Sequence, residues 1–290
     1  MKKSIIDRRL DSALDKEFNA IGRAMDAYVD YGNVTHSKLL SIYGDNELST
    51  PLYTLHAQLL SMIDGISVMV KKGIADGIKP LLRSLFEAAL YLEYMLKSSF
   101  EEVIAYQVHD VKNKIKTRRM FDFNDPLGKK TKRTFENEGK GINLGEYPID
   151  ESCKYLFAFL ERDDVRKVNE DWNKRKPKNW YSLYSNLNNF RELAKHLKKE
   201  TEYIIIYKFT SEFLHAGSMM DLVKVAGDKG GISLRSPEEV PLLSTLTFNL
   251  INEINLIIAK DEFVNWYLNT TKKQVERTSM LKIDVEFELF

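Results

Sequence analysis

The sequence predicts an all-α protein, a multi-helix bundle that ends in a short β-strand. Apolar residues recur at helical spacing through most of the 290 residues, and short polar breaks separate the periodic stretches. Only the last ten residues, LKIDVEFELF, switch to the alternation of a strand, which we expect at 281–289. The short breaks favour antiparallel helices packed in one bundle.

Composition and charge limit the classes of function. Lys and Arg number 43 against 42 Asp and Glu, so nucleic-acid binding would have to come from a local basic patch. A single cysteine excludes an internal disulfide framework and suits a reducing compartment. Charges interrupt every apolar run and also the N-terminus, where a signal peptide needs apolar residues. We therefore expect a cytoplasmic protein with no membrane partner.

The chain divides into three parts by pattern. Residues 1–50 are predicted as an N-terminal helical extension, 51–270 as the helical bundle domain, and 271–290 as a strand-like tail. Periodicity vanishes at about 121–147, where glycines and a run of cations predict a mobile basic loop. A lone terminal strand needs a partner in this chain or another, so we expect it to dock on the body of the protein or on a second chain, in a homodimer or with another protein partner.

Three polar residues form a ladder inside the apolar segment 203–219. Tyr207, Ser211 and His215 are four residues apart and share one stripe of a predicted helix that is buried nearly all round. Arg83 and Glu87 make an i,i+4 pair in another apolar helix. The two sets predict either a buried site or a structural polar lock.

A second candidate pair is Arg191 and His196. Their spacing matches the Arg-x4-His form of the motif in HEPN domains, some of which are metal-independent ribonucleases. Histidine would act as acid and base at a ribose hydroxyl, and arginine would hold the scissile phosphate. A solvated helix face explains the same residues. No metal-ligand spacing and no phosphate-binding glycine loop is present, so we expect neither a metal nor another cofactor.

Two runs of cations are candidates for nucleic-acid binding. The predicted residues are Lys129, Lys130, Lys132, Arg133, Lys174, Arg175 and Lys176. Aromatic residues flank the second run, and cations interleaved with aromatic rings suit single-stranded nucleic acid. A solvated loop beside aromatic residues packed in the core remains the alternative.

Three separated segments together resemble a known family. RSLFEAALYLEYM (83–95), FRELAKHL (190–197) and YKFTSEFLHAG (207–217) are similar to a bacterial, HEPN-like family of unknown function that often lies in phage-defence loci. Its members show an Arg-x3-Glu helix and then a Tyr-Arg-x2-Ser-x3-His helix. This chain carries Lys208 where the family has arginine, and lysine lacks the bidentate fork.

The resemblance implies a HEPN-like bundle and a role for each polar residue. His215 would be the acid and base, Lys208 and Arg83 would hold an anion, and Glu87 would orient the imidazole. The hydroxyls of the ladder would complete the hydrogen bonding. The implied function is a metal-independent RNA-cleaving or RNA-binding effector of bacterial defence. The alternative is a non-catalytic sensor or interaction module, or an antitoxin-like partner, in which the ladder is structural.

Overall fold

Helices dominate the protein. The computed structural model describes residues 6–7, 10–139, 152–208, 210, 223–226, 229–233 and 235–275, with side chains for 10–139, 152–207, 210 and 235–270. Within these ranges helices hold most of the chain, which confirms an all-α bundle in its coarse form. The predicted strand at 281–289 lies outside the described residues.

The described residues contain nine helices of at least seven residues. They are α1 Ser12–Tyr43, α2 Thr50–Lys71, α3 Ala75–Lys97, α4 Phe100–Arg119, α5 Pro126–Asn137, α6 Lys154–Leu160, α7 Asp163–Arg175, α8 Phe190–His196 and α9 Val240–Val275. Single 3-10 turns lie at Glu47–Ser49, Trp180–Ser182 and Pro237–Glu239. A helical turn, Glu200–Glu202, runs directly into a π-helical segment, Tyr203–Lys208.

A small sheet accompanies the helices. Its strands are β1 Ile6–Asp7, β2 Val223–Ala226 and β3 Lys229–Ser233, in the spatial order β1-β3-β2. β2 and β3 pair in antiparallel register, and β1 lies parallel to β3. The sheet ties a segment near the N-terminus to the segment that precedes α9.

The chain forms two compact units, each assembled from separated segments. Unit 1 comprises Met1–Gly44, His56–Ala89 and Phe209–Phe290, and unit 2 comprises Asp45–Leu55 and Leu90–Lys208. This division differs from the boundaries expected at residues 50 and 270. Composition marks breaks along the chain, whereas a compact unit is defined by packing between helices far apart in sequence. α1 is accordingly part of unit 1, where it packs against α9.

Aromatic residues hold α1 and α9 together in unit 1. The Tyr28 hydroxyl donates to Asn252 Oδ1 at 2.7 Å, and the Tyr28 ring meets Trp266 edge-on at 4.9 Å. Tyr31 stacks on the same indole at 4.5 Å. Burial of these rings gives the contact most of its favourable free energy.

One stretch in the described part of the chain is long and apolar enough to cross a membrane. It is Pro237–Thr270, and 56% of its most apolar window is buried within the protein. A core helix has the same composition, and the packing of α9 on α1 is that of a core helix.

Unit 2 is built around α4. α4 packs against α6 and α7 through buried aliphatic side chains. The cluster includes Val108, Val111, Ile115, Leu156, Leu160, Val165 and Val168. This core fixes α4, α6 and α7 relative to one another, and two of these helices, α4 and α6, contribute to the site described below.

The stretch predicted as a mobile loop, 121–147, contains a helix instead. α5 begins where Asp125 caps the chain by accepting the Leu127 N–H at 2.8 Å, with Pro126 in the first turn. A Cβ on Gly128 would lie 1.8 Å from the Asp122 carbonyl oxygen, so only glycine permits this close approach. The four cations of the run therefore lie on a helix.

Candidate nucleic-acid interface

The predicted Arg83–Glu87 pair is present on α3 in unit 1. Arg83 Nε lies 3.3 Å from Glu87 Oε1, and the side chains are 19% and 36% exposed. The predicted meeting of this pair with His215 lies outside the described residues, as do Ser211 and the side chain of Lys208. Of the six residues assigned to the catalytic ladder and its partners, the described side chains thus comprise Arg83, Glu87 and Tyr207.

Tyr207 lies in the π-helical segment Tyr203–Lys208, and the other two residues of the predicted ladder, Ser211 and His215, lie outside the described residues. The prediction of burial nearly all round is wrong in this segment, because Ile204 and Ile205 are 46% and 41% exposed. The Tyr207 ring stacks on Tyr203 at 5.0 Å and lies 5.1 Å from Phe190.

Arg191 and His196 both lie on α8, but they make different contacts. The Arg191 guanidinium donates to Glu200 Oε1 at 2.7 Å. The His196 ring packs edge-on against Tyr94 at 5.9 Å and lines a pocket of about 220 Å³. Lys97 and Lys198 also line that pocket, where they complement the C-terminal ends of α3 and α8.

The strongest concentration of positive charge is the segment 112–133, which we call the basic segment. It holds nine lysine and arginine residues against two aspartates. It covers the second half of α4 and the first half of α5, and most of its cations are exposed. The predicted cations Lys129, Lys130, Lys132 and Arg133 all lie on α5 with exposed side chains.

Aromatic rings lie directly beside these cations. The Arg118 guanidinium is 5.2 Å from the centroid of the Tyr155 ring and donates to its hydroxyl at 2.7 Å. Tyr155 is 61% exposed. The Lys132 ammonium lies 5.7 Å from the centre of the Phe123 ring. The surface therefore offers positive charge and ring faces together.

A groove between α4, α5 and α6 opens in the same region. Its volume is about 490 Å³, and its lining is Lys112, Ile115, Lys116, Arg119, Asp125, Pro126, Leu127, Phe157 and Leu160. Arg119 Nε pairs with Asp125 Oδ2 at 3.0 Å. Lys112 donates to Asn173 Oδ1 at 2.8 Å, and burial lowers the pKa of this lysine. The sequence did not indicate this groove, because its walls come from three separate helices.

The second predicted run of cations, Lys174 to Lys176, has a different surrounding. Arg175 donates to the Leu183 carbonyl at 2.7 Å, so its guanidinium holds the chain that follows α7. Lys176 ends the helix in the left-handed conformation, with φ of 49°. Trp180 and Tyr181 are 3% and 2% exposed. Trp180 and Tyr181 thus pack in the core, as the alternative predicts, whereas Tyr184 is half-buried with the Arg175 guanidinium 5.5 Å from its ring centroid.

A histidine pair in unit 1, in which His56 is buried and His36 half-buried, was missed by sequence reasoning. His56 Nε2 lies 3.0 Å from Thr35 Oγ1, and His56 Nδ1 lies 3.3 Å from His36 Nδ1. Burial lowers the pKa of His56 to about 4, so the ring is neutral at pH 7. The Thr35 hydroxyl donates to the Gly32 carbonyl, which leaves it to accept from the imidazole. The two histidines come from different helices, so no sequence spacing signals the pair.

Within the described residues, no three His, Cys, Asp or Glu side chains converge as metal ligands.

Comparisons with known proteins identify the family of this chain. Searches of curated proteins and of solved structures gave no match. A family model, described as a family of unknown function (DUF5677), matches residues 50–231, which is more than half of the sequence and includes the whole basic segment. The chain therefore belongs to this family of unknown function, DUF5677.

Proposed function

We propose that this chain binds single-stranded RNA on the basic segment, as an effector of bacterial defence with a HEPN-like bundle. The observation that carries the proposal is the contact of cations with aromatic rings at this surface: Arg118 lies against the exposed ring of Tyr155, and the exposed Lys132 lies against the half-buried ring of Phe123. The formal net charge of the chain is only +1, so this surface is a local concentration of charge.

Physical chemistry favours single-stranded over double-stranded RNA on such a surface. Lysine and arginine neutralise phosphates and release counterions whatever the sequence. Ring faces add stacking of about 1–3 kcal/mol per base, but only for bases that are not already paired in a duplex. Base recognition in proteins that bind RNA relies on such unstacked bases.

A salt titration of binding tests this proposal. Fluorescence anisotropy with a labelled single strand of about 16 nucleotides measures the dissociation constant from about 50 to 200 mM salt. We expect binding that weakens steeply with salt and is stronger than binding to a duplex of the same length. Binding that is absent at low salt, or that favours the duplex, would overturn the proposal.

We further propose that the chain cleaves RNA without a metal ion, with His215 as acid and base. The support is the order of the three resembling segments and the presence of the Arg83–Glu87 pair on α3. Total RNA and transfer RNA are incubated with the native protein and with His215→Ala in the presence of a chelator. We expect the native protein to cleave the RNA and His215→Ala to leave it intact.

The same variant separates catalysis from the structural alternative. A catalytic His215 leaves the melting temperature nearly unchanged when it is replaced, and only cleavage is lost. A structural lock predicts a lower melting temperature for His215→Ala and no cleavage by either preparation. The latter result would leave an RNA-binding or interaction module as the function.

A further inference from the structure

The groove between α4, α5 and α6 has the composition of a ligand site. Its floor is apolar, formed by Ile115 and Leu160, which are buried, and by Leu127, which is half-buried. Phe157 stands in the wall with 41% of its surface exposed. An exposed ring beside an apolar floor leaves apolar surface in water that a planar partner would cover favourably.

Cations line one side of this apolar floor. Lys112, Lys116 and Arg119 lie at i, i+4 and i+7 on α4, so they form one stripe about 10 Å long. Arg119 is held by Asp125 and Lys112 by Asn173. Lys116 is exposed, and among the described residues no carboxylate pairs with its ammonium. The stripe therefore has a cation available for an anionic ligand.

The size of the groove selects the kind of occupant. About 490 Å³ lies within the range of small-molecule sites, roughly 300–1,000 Å³. A phosphate alone would leave the Phe157 ring uncovered, and a duplex hides its bases from that ring. A single nucleotide unit matches both features, with its base against Phe157 and its phosphate at Lys116.

We propose that the groove holds one unstacked nucleotide of the bound RNA strand, with Phe157 as its stacking partner. This inference rests on the proposed RNA-binding function and gives that surface a defined subsite. The cations of α5 would then bind the strand as it continues out of the groove. Phe157 and Lys116 become residues that bind a particular nucleotide, distinct from the general attraction of the basic segment.

Two phenylalanines make a matched test of the stacking role. Phe157 and Phe121 belong to the same unit and are 41% and 40% exposed, but only Phe157 lines the groove. Probes are a single-stranded RNA, the same strand lacking its bases, and inorganic polyphosphate. For Phe157→Ala we expect about tenfold weaker binding of the RNA and unchanged binding of the other two probes. Phe121 belongs to the basic segment but lies outside the groove, so Phe121→Ala should weaken RNA binding clearly less than Phe157→Ala does, and Phe157→Tyr should restore RNA binding.

Two lysines of α4 test the phosphate contact. Lys116 lines the groove, whereas Lys114 lies off it and pairs with Asp110 at 2.6 Å. For Lys116→Gln we expect the slope of log affinity against log salt to fall by about 0.7, and for Lys114→Gln we expect a smaller fall, because Asp110 already neutralises that ammonium. Equal slopes for the two variants would count against the phosphate position.

The results distinguish this inference from the proposed function. Salt-dependent RNA binding that falls equally in Phe157→Ala and Phe121→Ala would overturn the nucleotide subsite and leave the RNA-binding proposal standing. Loss of polyphosphate binding in Phe157→Ala would show that the ring supports the fold or the charged surface, which also overturns the stacking role. Absence of RNA binding by the native protein would remove both proposals.

Discussion

Two regions of unit 2 both combine cations with aromatic residues but present different surfaces. The first is the basic segment together with the adjoining helix α6, and the second is the segment 172–184. In the first, Tyr155 and Phe157 of α6 are 61% and 41% exposed beside the cations, whereas in the second Trp180 is 3% exposed. Composition therefore does not decide whether a ring is available to a ligand. The decisive factor is which side of its helix or turn the ring occupies.

The buried rings of the second region have defined partners. Trp180 meets Tyr91, Tyr94 and Tyr106 in edge-on contacts at 5.5, 5.6 and 5.3 Å. Edge-to-face pairs of this kind add to the free energy gained by burial. The cations of this region are exposed, but Trp180 and Tyr181, which lie close to them in sequence, are buried in the core and present no ring face to a ligand.

Truncation of one ring in each region should give the largest difference. Trp180→Ala is expected to lower the free energy of unfolding by about 3–5 kcal/mol, because it leaves a cavity among buried rings. Phe157→Ala should lower it by less than about 1 kcal/mol, since the ring is largely exposed. Urea denaturation measures both values, with Trp180→Phe as a milder variant if the alanine variant does not fold. Similar losses of unfolding free energy in Trp180→Ala and Phe157→Ala would contradict the contrast between a buried and an exposed ring.

Removal of charge from each region should separate them by RNA affinity. We expect the triple variant Lys129→Gln, Lys130→Gln and Lys132→Gln to weaken binding of single-stranded RNA by about twentyfold. The matched triple Lys174→Gln, Lys176→Gln and Lys178→Gln should weaken it by less than about threefold, since no exposed ring accompanies those cations. Anisotropy titrations at one low salt concentration measure both. A larger loss from the second triple would place the RNA at the end of α7.

Two aspartates allow a weaker test of the same contrast. Asp125 pairs with Arg119 in the groove, whereas Asp171 accepts a hydrogen bond from the Tyr184 hydroxyl at 3.0 Å. Asp125→Asn releases the guanidinium and removes a negative charge, so RNA should bind about threefold more tightly. Asp171→Asn should leave the affinity unchanged. Tighter binding in both variants would indicate a general charge effect.

The smallest expected effect concerns His109, a residue of α4 that contacts the second region. It lies on α4 and packs against Trp172 of α7 at 5.4 Å, and burial lowers its pKa from the ordinary value of 6.5. The unfolded chain then binds more protons than the folded chain as pH falls below 6.5, so the stability from the neutral ring is present above that pH and decreases below it. Urea unfolding above and below pH 6.5 should show that the free energy of unfolding falls less in His109→Gln than in the native protein.

RNA affinity is the control for the same pH change. The lining of the groove and the sequence of α5 contain no histidine, the side chain that ordinarily changes charge in this pH range. Affinity should therefore stay constant while stability decreases. A rise in RNA affinity as pH falls would indicate that a histidine belongs to the binding surface.

Much of the local structure could be predicted from sequence because it depends on residues close together in the chain. The helical class follows from periodicity, and the Arg83–Glu87 contact follows from i,i+4 spacing on one helix. The cation cluster at 112–133 could be read in the same way. The helix α5 lies in a stretch that was predicted as a loop, although an aspartate followed by a proline, as at Asp125 and Pro126, is typical of a helix N-terminus.

Only the tertiary structure decided which of these features form a surface. The close approach of Gly128 to the Asp122 carbonyl, the π-helical turn at Tyr203–Lys208 and the groove walls all depend on the three-dimensional course of the backbone. The exposure of Phe157 and the burial of Trp180 depend on contacts between helices distant in sequence. A local pattern specifies which neighbours a residue has within one helix. Packing between separated segments specifies which side chains remain available to a ligand.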